Sequence, residues 1–365
     1  MTARVVLLVV FVALGVSPLT AQPRAGDDRT GRDLYRTACA ACHGADGRGA
    51  PQSTVGFDVP LPDFSDCSFS SREPAADWLA IAHDGGPVRA FDRRMPAFGE
   101  ALSVEAIARA VDHVKTFCSD RAWPQGELNM PRPLVTEKAY PEDEAVVTST
   151  FATGDDRAVS HQFLYERRFG ARNQFEVAVP LAARQAGGVW QSGLGDVAVA
   201  IKRVLAHSLA RGAILSVTGE LVLPTGKEGQ GLGSGTTVFE PFVTYGQLLP
   251  RNRFLHLQAG AELPADRSGD EAFWRAAVGQ TFEQGRFGRA WSPMVELLGA
   301  RNLEAGAAVQ WDVVPQMQVT LSKRQHIMIS GGVRFPVSAR TGRHPQVITY
   351  FLWDWFDGGL RDGWR

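Results

Sequence analysis

The run Cys39-Ala40-Ala41-Cys42-His43 carries the best-defined chemistry in this sequence. Two thiols three positions apart can reach two points on one edge of a flat macrocycle, and a histidine directly after them can reach a metal at its centre. This is C-x-x-C-H, the covalent attachment signature of a c-type haem. A bare C-x-x-C also serves as half of a zinc site or as a redox dithiol. The adjoining histidine and the export signal described below set those readings aside. The second axial position of such a metal needs another donor, and Arg94-Met95-Pro96-Ala97-Phe98-Gly99 offers one. A lone methionine is usually core filler, but Met95 is held in a loop by proline just before a helix. His83 and Met130 are its rivals. His83 ends a helix and is read as its cap, while Met130 lies in a proline-rich stretch further on.

Three helices are expected around these residues. Thr30 can cap a helix over Gly31–Ala38 with Leu34 and Tyr35 facing inward. Glu73-Pro74 opens a second through Trp78, Leu79 and Ile81, which stops at Gly85-Gly86. Ser103 can cap a third, in which Ile107, Ala110, Val111, Val114 and Phe117 recur on one face.

With Gly31, Tyr35, the C-x-x-C-H run, Met95-Pro96 and the closing helix in place, residues 29–118 resemble a class I c-type cytochrome. That resemblance implies one covalently attached haem c held by Cys39 and Cys42, with His43 and Met95 as axial ligands of the iron. Ligation by His and Met closes both axial positions and suits electron transfer rather than oxygen chemistry. Cys67 and Cys118 remain. Two spare cysteines in one small exported domain suggest a disulfide, closing a loop of about 50 residues for roughly 4 kcal/mol on the chain-entropy argument. Two unpaired buried thiols are the other reading.

The whole chain has 365 residues, 44% apolar and 21% charged, which excludes wholesale disorder and suggests two domains or one long β domain. Lys+Arg number 38 and Asp+Glu 39, with no long basic block, so no nucleic-acid partner is expected. Arg4, the apolar run Val5–Val16 and Leu19-Thr20-Ala21 have the layout of a signal peptide over residues 1–21. The alternative is an uncleaved anchor. Downstream no apolar run is long enough for a transmembrane helix.

After residue 118 the texture changes. Residues 119–144 hold Pro124, Pro131, Pro133 and Pro141 and end in Glu142-Asp143-Glu144, a stiff and extended linker, either docked or free. From 145 to 365 twelve segments alternate with a period of two. Leu255, Leu257, Ala259, Ala261 and Leu263 oppose His256, Gln258 and Glu262; Val309, Trp311, Val313, Met317 and Val319 oppose Gln310, Asp312, Gln316 and Gln318. A soluble β-sandwich would alternate in the same way. The connections favour a membrane barrel, because short turns such as 170–173 and 250–253 alternate with longer or looser gaps such as 183–194 and 224–237. Trp190, Phe239, Tyr245, Phe254, Trp274, Trp291, Tyr350, Trp353 and Trp355 fall mostly near strand ends, as interfacial girdles would. Bacterial barrels often end on an aromatic. Here Phe356 is followed by a polar tail, which departs from that pattern.

The expectation is therefore a multidomain chain: a signal peptide (1–21), a small all-α cytochrome c domain (22–118), a Pro-rich linker (119–144) and an all-β antiparallel transmembrane barrel of about 12 strands (145–365). The architecture is similar to fused outer-membrane cytochrome-porins of iron-oxidising bacteria. That likeness implies an outer-membrane protein that exchanges electrons between an outside donor and the periplasm, read as an electron carrier before an enzyme. With both ends of an even-stranded barrel facing the periplasm, the haem domain is expected on that side. Its partners would be a small redox-active molecule or a periplasmic redox protein, together with outer-membrane lipid. A complete cytochrome should not fit inside so narrow a barrel. The preferred reading is that a small donor or acceptor crosses the lumen and meets the haem at the mouth, and the alternative is that the domain inserts partway with linker residues lining the route. A transport channel for small or aromatic compounds, with the cytochrome as plug or accessory, is the competing reading. A monohaem peroxidase is a third, and a bound Met95 argues against it. Glu220, Glu240, Glu262, Glu296 and Asp312 are expected to face the lumen, where they could guide a cation.

Overall fold

A computed structural model describes residues 28–355, apart from 57, 155–156 and 268. The signal-peptide reading and Phe356 lie outside the described residues. The chain begins with α1 (Gly31–Ala38), α2 (Ala40–His43), α3 (Gln52–Val55), α4 (Cys67–Ser70), α5 (Ala75–Asp84) and α6 (Val104–Lys115). Thr30 caps α1 by accepting from Asp33 N, and Ser103 caps α6 by accepting from Ala106 N. Leu34 packs on Ala106 and Ala110, while Tyr35 packs with Phe64 and Val114. The crossing of α1 over α6 is close enough that a Cβ on Gly31 would lie 2.1 Å from the Arg109 carbonyl oxygen, so only glycine fits there.

Among the described residues fourteen strands follow: β1 (Glu144–Ala152), β2 (Ala158–Phe169), β3 (Asn173–Ala186), β4 (Val189–Leu194), β5 (Val197–Ser208), β6 (Ala213–Leu223), β7 (Val238–Leu249), β8 (Arg253–Pro264), β9 (Glu271–Gln280), β10 (Phe282–Glu283), β11 (Ala290–Asn302), β12 (Gln310–Thr320), β13 (Ile327–Pro336) and β14 (Gln346–Asp354). Neighbours pair antiparallel throughout, β14 pairs β1, and β9 pairs β11, so the sheet closes on itself. β4 extends the stave of β5 along β3, and β10 extends that of β9 along β11. Fourteen strands thus make twelve staves, a closed antiparallel barrel without free edges.

Each strand alternates, and the barrel is inside out. Every exposed large apolar side chain among the described residues lies at Val147 or later, including Phe163, Ile201, Val243, Val295 and Ile329. The lumen instead buries Glu166, Gln174, Glu176, Lys202, His256, Gln258, Glu296 and Gln316. A sandwich would bury the first set and solvate the second. Two details differ from the sequence expectation. The gap at 183–194 is a tight hairpin whose turn, Gly187-Gly188, has both φ positive, a conformation that glycine adopts without strain. Phe254 and Tyr350, expected in the girdles, point into the lumen at 2% exposure because their positions have inward parity.

Residues 128–142 do not span solvent between two domains. They enter the lumen at the end carrying the short turns, reach beyond its middle and return to the same end. Leu128, Met130, Ala139 and Tyr140 fill an apolar socket of Val204, Ile214, Phe254 and Met294. Arg132 Nη1 lies 2.7 Å from both Glu144 Oε1 and Glu166 Oε2. At the tip, the Glu296 carboxylate accepts from Leu134 N (2.9 Å), Val135 N (3.1 Å), Thr136 N (2.6 Å) and Thr136 Oγ1 (2.5 Å). His256 Nε2 lies 3.0 Å from the Pro131 carbonyl, and Tyr350 donates to the Arg132 carbonyl at 2.8 Å. The linker is a plug.

Two measurements follow from this packing. Arg132→Ala takes the 2.7 Å partner from both Glu144 and Glu166 and leaves them with lysines at 3.7 Å. Losing one partner of a buried ion pair costs about 3–5 kcal/mol, an upper bound here. The temperature at which the unboiled barrel loses its compact mobility on a denaturing gel should fall by several degrees. In planar bilayers the parent protein should pass no porin-sized current, while Glu296→Ala, which frees the plug tip, should show stepwise conductance. Equal currents from both would contradict the plug.

Candidate metal centre and its mount on the barrel

The C-x-x-C-H run spans the junction of α1 and α2, with Cys39 as the shared cap residue. Its thiols, both half-buried, are not bonded to each other, whereas Cys67 and Cys118 form a disulfide that ties α4 to the end of α6. Burial and the neighbouring Cys42 push the Cys39 thiol up to about 11. Tyr35 donates to the Gly44 carbonyl at 2.6 Å, fixing the backbone just after His43. The His43 ring stacks on Phe64 with centroids 4.9 Å apart, and Phe64 meets Trp78 at 5.1 Å. Burial lowers the His43 pKa, which keeps the imidazole neutral, the form that binds metals. Its Nδ1 is buried with no hydrogen-bond partner among the described residues. That is unusual for a structural histidine and suits one whose ring serves a bound group.

Met95 is placed by backbone. Its N–H donates to Asp92 O (3.2 Å), and its carbonyl accepts from Gly86 N (3.0 Å). A Cβ on Gly86 would meet the Asp92 carbonyl oxygen at 2.2 Å, so glycine permits this approach. The rivals are occupied elsewhere. His83 is not a simple helix cap: Nδ1 lies 2.5 Å from Asp84 Oδ1, and Nε2 lies 3.1 Å from Arg286 Nη1 of the β10–β11 turn. Met130 is buried in the plug's socket.

The helical unit sits on the short-turn mouth, on residues that sequence reading did not single out. Arg89 bridges Asp77 (2.6 Å) and the Phe287 carbonyl (2.7 Å). His326 Nε2 contacts Glu73 Oε1 at 2.8 Å, and the Arg324 guanidinium lies 4.2 Å from the centroid of Phe91. Arg72 pairs with Asp143, where the plug becomes β1. Arg286-Phe287 in an otherwise polar turn was a legible signal, because an exposed aromatic there has no lipid to face.

With this geometry in hand, the comparisons decide the domain. Residues 26–114 match the family model described as cytochrome c oxidase, cbb3-type, subunit III. Those residues are a c-type cytochrome domain. The match covers about a quarter of the chain, and its cofactor, haem c, follows from the family. No curated protein matches the chain. Among solved structures, an outer-membrane channel from Pseudomonas putida F1 is similar at 14% identity and TM-score 0.45, covering 61% of this chain and 99% of that one. The NanC porin (7%, TM-score 0.40) covers 57% of this chain and 98% of its own. The KdgM porin (10%, TM-score 0.40) covers 58% and 99%. The barrel itself rests on the strand pairings above.

The mount contains a titrating group. Asp77, under the cytochrome domain, has its pKa raised from 3.8 to about 6 by burial first and by Glu73 second, against the pull of Arg89 and His326. The folded state therefore holds this proton more tightly than the unfolded chain does. Stability should rise as pH falls from about 6 towards 4 and be lost again as pH rises through 6, by up to about 3 kcal/mol. Asp77→Asn should remove that component from the pH dependence of thermal unfolding. An unchanged profile would exclude Asp77 as its source.

Proposed function

We propose that this chain is an electron carrier of the bacterial outer membrane, with its cytochrome domain seated at the periplasmic mouth of a lipid-embedded barrel. The observation that carries the proposal is the pairing of one inside-out barrel with one C-x-x-C-H domain docked on its mouth. The outward strand positions supply an apolar surface for lipid. Both ends of the barrel stave set, Glu144 and Asp354, lie at the cytochrome's mouth together with the short turns. In bacterial barrels that end faces the periplasm.

Cys39 and Cys42 would hold one haem c covalently, and His43 and Met95 would be its axial ligands. When bound, the group would supply one-electron transfer rather than oxygen chemistry. The protein's own work is placement. Tyr35 fixes the motif, Phe64 backs the His43 ring, Gly86 anchors Met95, and Arg89 with Arg324 seats the domain. A donor crossing the lumen, as the sequence suggested, has no open route because the plug occupies it. Exchange would instead occur on the cytochrome surface near the mouth, with a small redox-active molecule or a periplasmic redox protein. The same plug weighs against the transport reading.

The test uses the full chain made in a host that matures haem c. Haem stain should follow a heat-modifiable outer-membrane band. Cys39→Ser with Cys42→Ser should abolish the stain and leave the heat shift. Met95→Ala should keep the stain and lose the methionine–iron charge-transfer band at the red edge of the spectrum. Stain confined to the soluble periplasm would overturn the reading.

A further inference from the structure

Above the plug, at the mouth opposite the cytochrome domain, the lumen is a blind pocket. A cavity of about 460 Å³ is bounded by Asp312, Arg334 and Arg343. A second of about 150 Å³ shares those three residues and adds Glu262, Glu271, Arg275 and, at its floor, Val135 of the plug tip. Together they lie within the size range of small-molecule sites. A closed floor makes this a place to bind, not a passage.

The two walls carry opposite charge. On one, Arg334 Nε donates to Asp312 Oδ2 (2.7 Å) and Arg343 Nη2 to Asp312 Oδ1 (2.5 Å). Two guanidinium groups share one carboxylate, so this wall is net positive. Arg334 also places Nη2 on Asp312 (2.5 Å) and Arg343 donates Nη1 to the Ser338 carbonyl (3.0 Å), which leaves Arg334 Nη1 and Arg343 Nε to meet a second carboxylate. On the other wall Glu262 and Glu271 stand directly opposite each other across β8 and β9. Like charges in that register repel. Among the described residues neither carboxylate has a hydrogen bond or ion pair, and the nearby Arg275 spends Nη1 on the Val135 carbonyl (3.2 Å) and Gln258 Oε1 (3.4 Å).

From this arrangement we infer that the outer vestibule binds a small zwitterion of the amino-acid or short-peptide class. Its carboxylate lies on Arg334 and Arg343 and its ammonium on Glu262 and Glu271. A ligand with only one charge meets one wall alone.

The test is calorimetric titration of the haem-loaded full chain in detergent with triglycine, N-acetyl-triglycine and triglycine amide. Triglycine should bind saturably and at least tenfold more tightly than either blocked form. Arg343→Gln and Glu271→Gln should each weaken it by at least tenfold, in samples whose heat-modifiable band shows an intact barrel. The parent protein alone is decisive if a variant fails to fold. Equal binding of all three peptides, no saturable binding, or binding of calcium on the carboxylates without any peptide would overturn the inference. Haem content and spectrum play no part in this readout, so its failure is separate from that of the electron-transfer reading.

Discussion

The structure depends on how charge is kept inside a barrel whose outside is apolar. Lumen positions carry Glu144, Glu166, Glu176, Lys202 and Glu296, all nearly or wholly removed from solvent. Desolvating an ion is expensive unless an opposite charge or several donors meet it. Lys202 answers Glu176 at 3.0 Å and Glu166 at 3.7 Å. Gln174 of β3 donates to Glu166 and Glu176, Gln316 of β12 donates to Glu296, and the plug supplies further partners. Arg132 and Lys138 bring two cations to Glu144 and its neighbours, and three consecutive backbone N–H groups converge on Glu296. Without residues 128–142 these carboxylates would need water or protons in their place.

This explains where the cytochrome sits. A plug that goes in and comes out through one mouth returns the chain to β1 at the rim, so the domain preceding it is held there. Gly126 lies so close to the helical unit that a Cβ would fall 1.9 Å from the Arg72 carbonyl oxygen. Ala75 N donates to Glu127 Oε1 at 2.9 Å, tying the start of α5 to the plug's entrance. The contacts of Arg89, Arg324 and His326 then fix the orientation that the plug only makes possible. Barrel, plug and cytochrome are coupled through charge and backbone as well as through the plug's apolar socket.

Some of this was legible in the sequence because it depends on local chemistry. C-x-x-C-H is a contiguous motif, Thr30 and Ser103 announce helices by hydrogen-bonding the turn that follows, and period-two alternation states which side of a strand is apolar. Which apolar side faces lipid is a long-range property, and loop lengths supplied it. The plug was legible only as one alternative: its prolines read as a stiff connector that could be docked or free, since extended chains in water and in a lumen look alike locally. Leu128, Met130, Leu134, Val135 and Tyr140 were the available signal, because a solvated linker has no use for so many large apolar side chains. Position near a strand end misassigned Phe254 and Tyr350, where parity with His256 and Leu352 was the better guide. His83 could be recognised as a mount only once Arg286 was known to face it.

The plug also divides the lumen into two chemically different halves. Towards the cytochrome, Val204, Ile214, Phe254 and Met294 form a dry socket filled by plug side chains. Towards the opposite mouth, the wall carries Glu220 facing Glu240 and Glu262 facing Glu271 in register. Such a stack of like charges is costly in the empty space of a narrow lumen and tolerable only where solvent or a counter-charge can enter. Placing it above the plug tip gives it that access, and placing the apolar socket below denies it to the cytochrome side. A polypeptide segment that was a linker by sequence thereby separates a redox surface at one mouth from a solvated, polarised pocket at the other. Neither half needs the lumen to conduct.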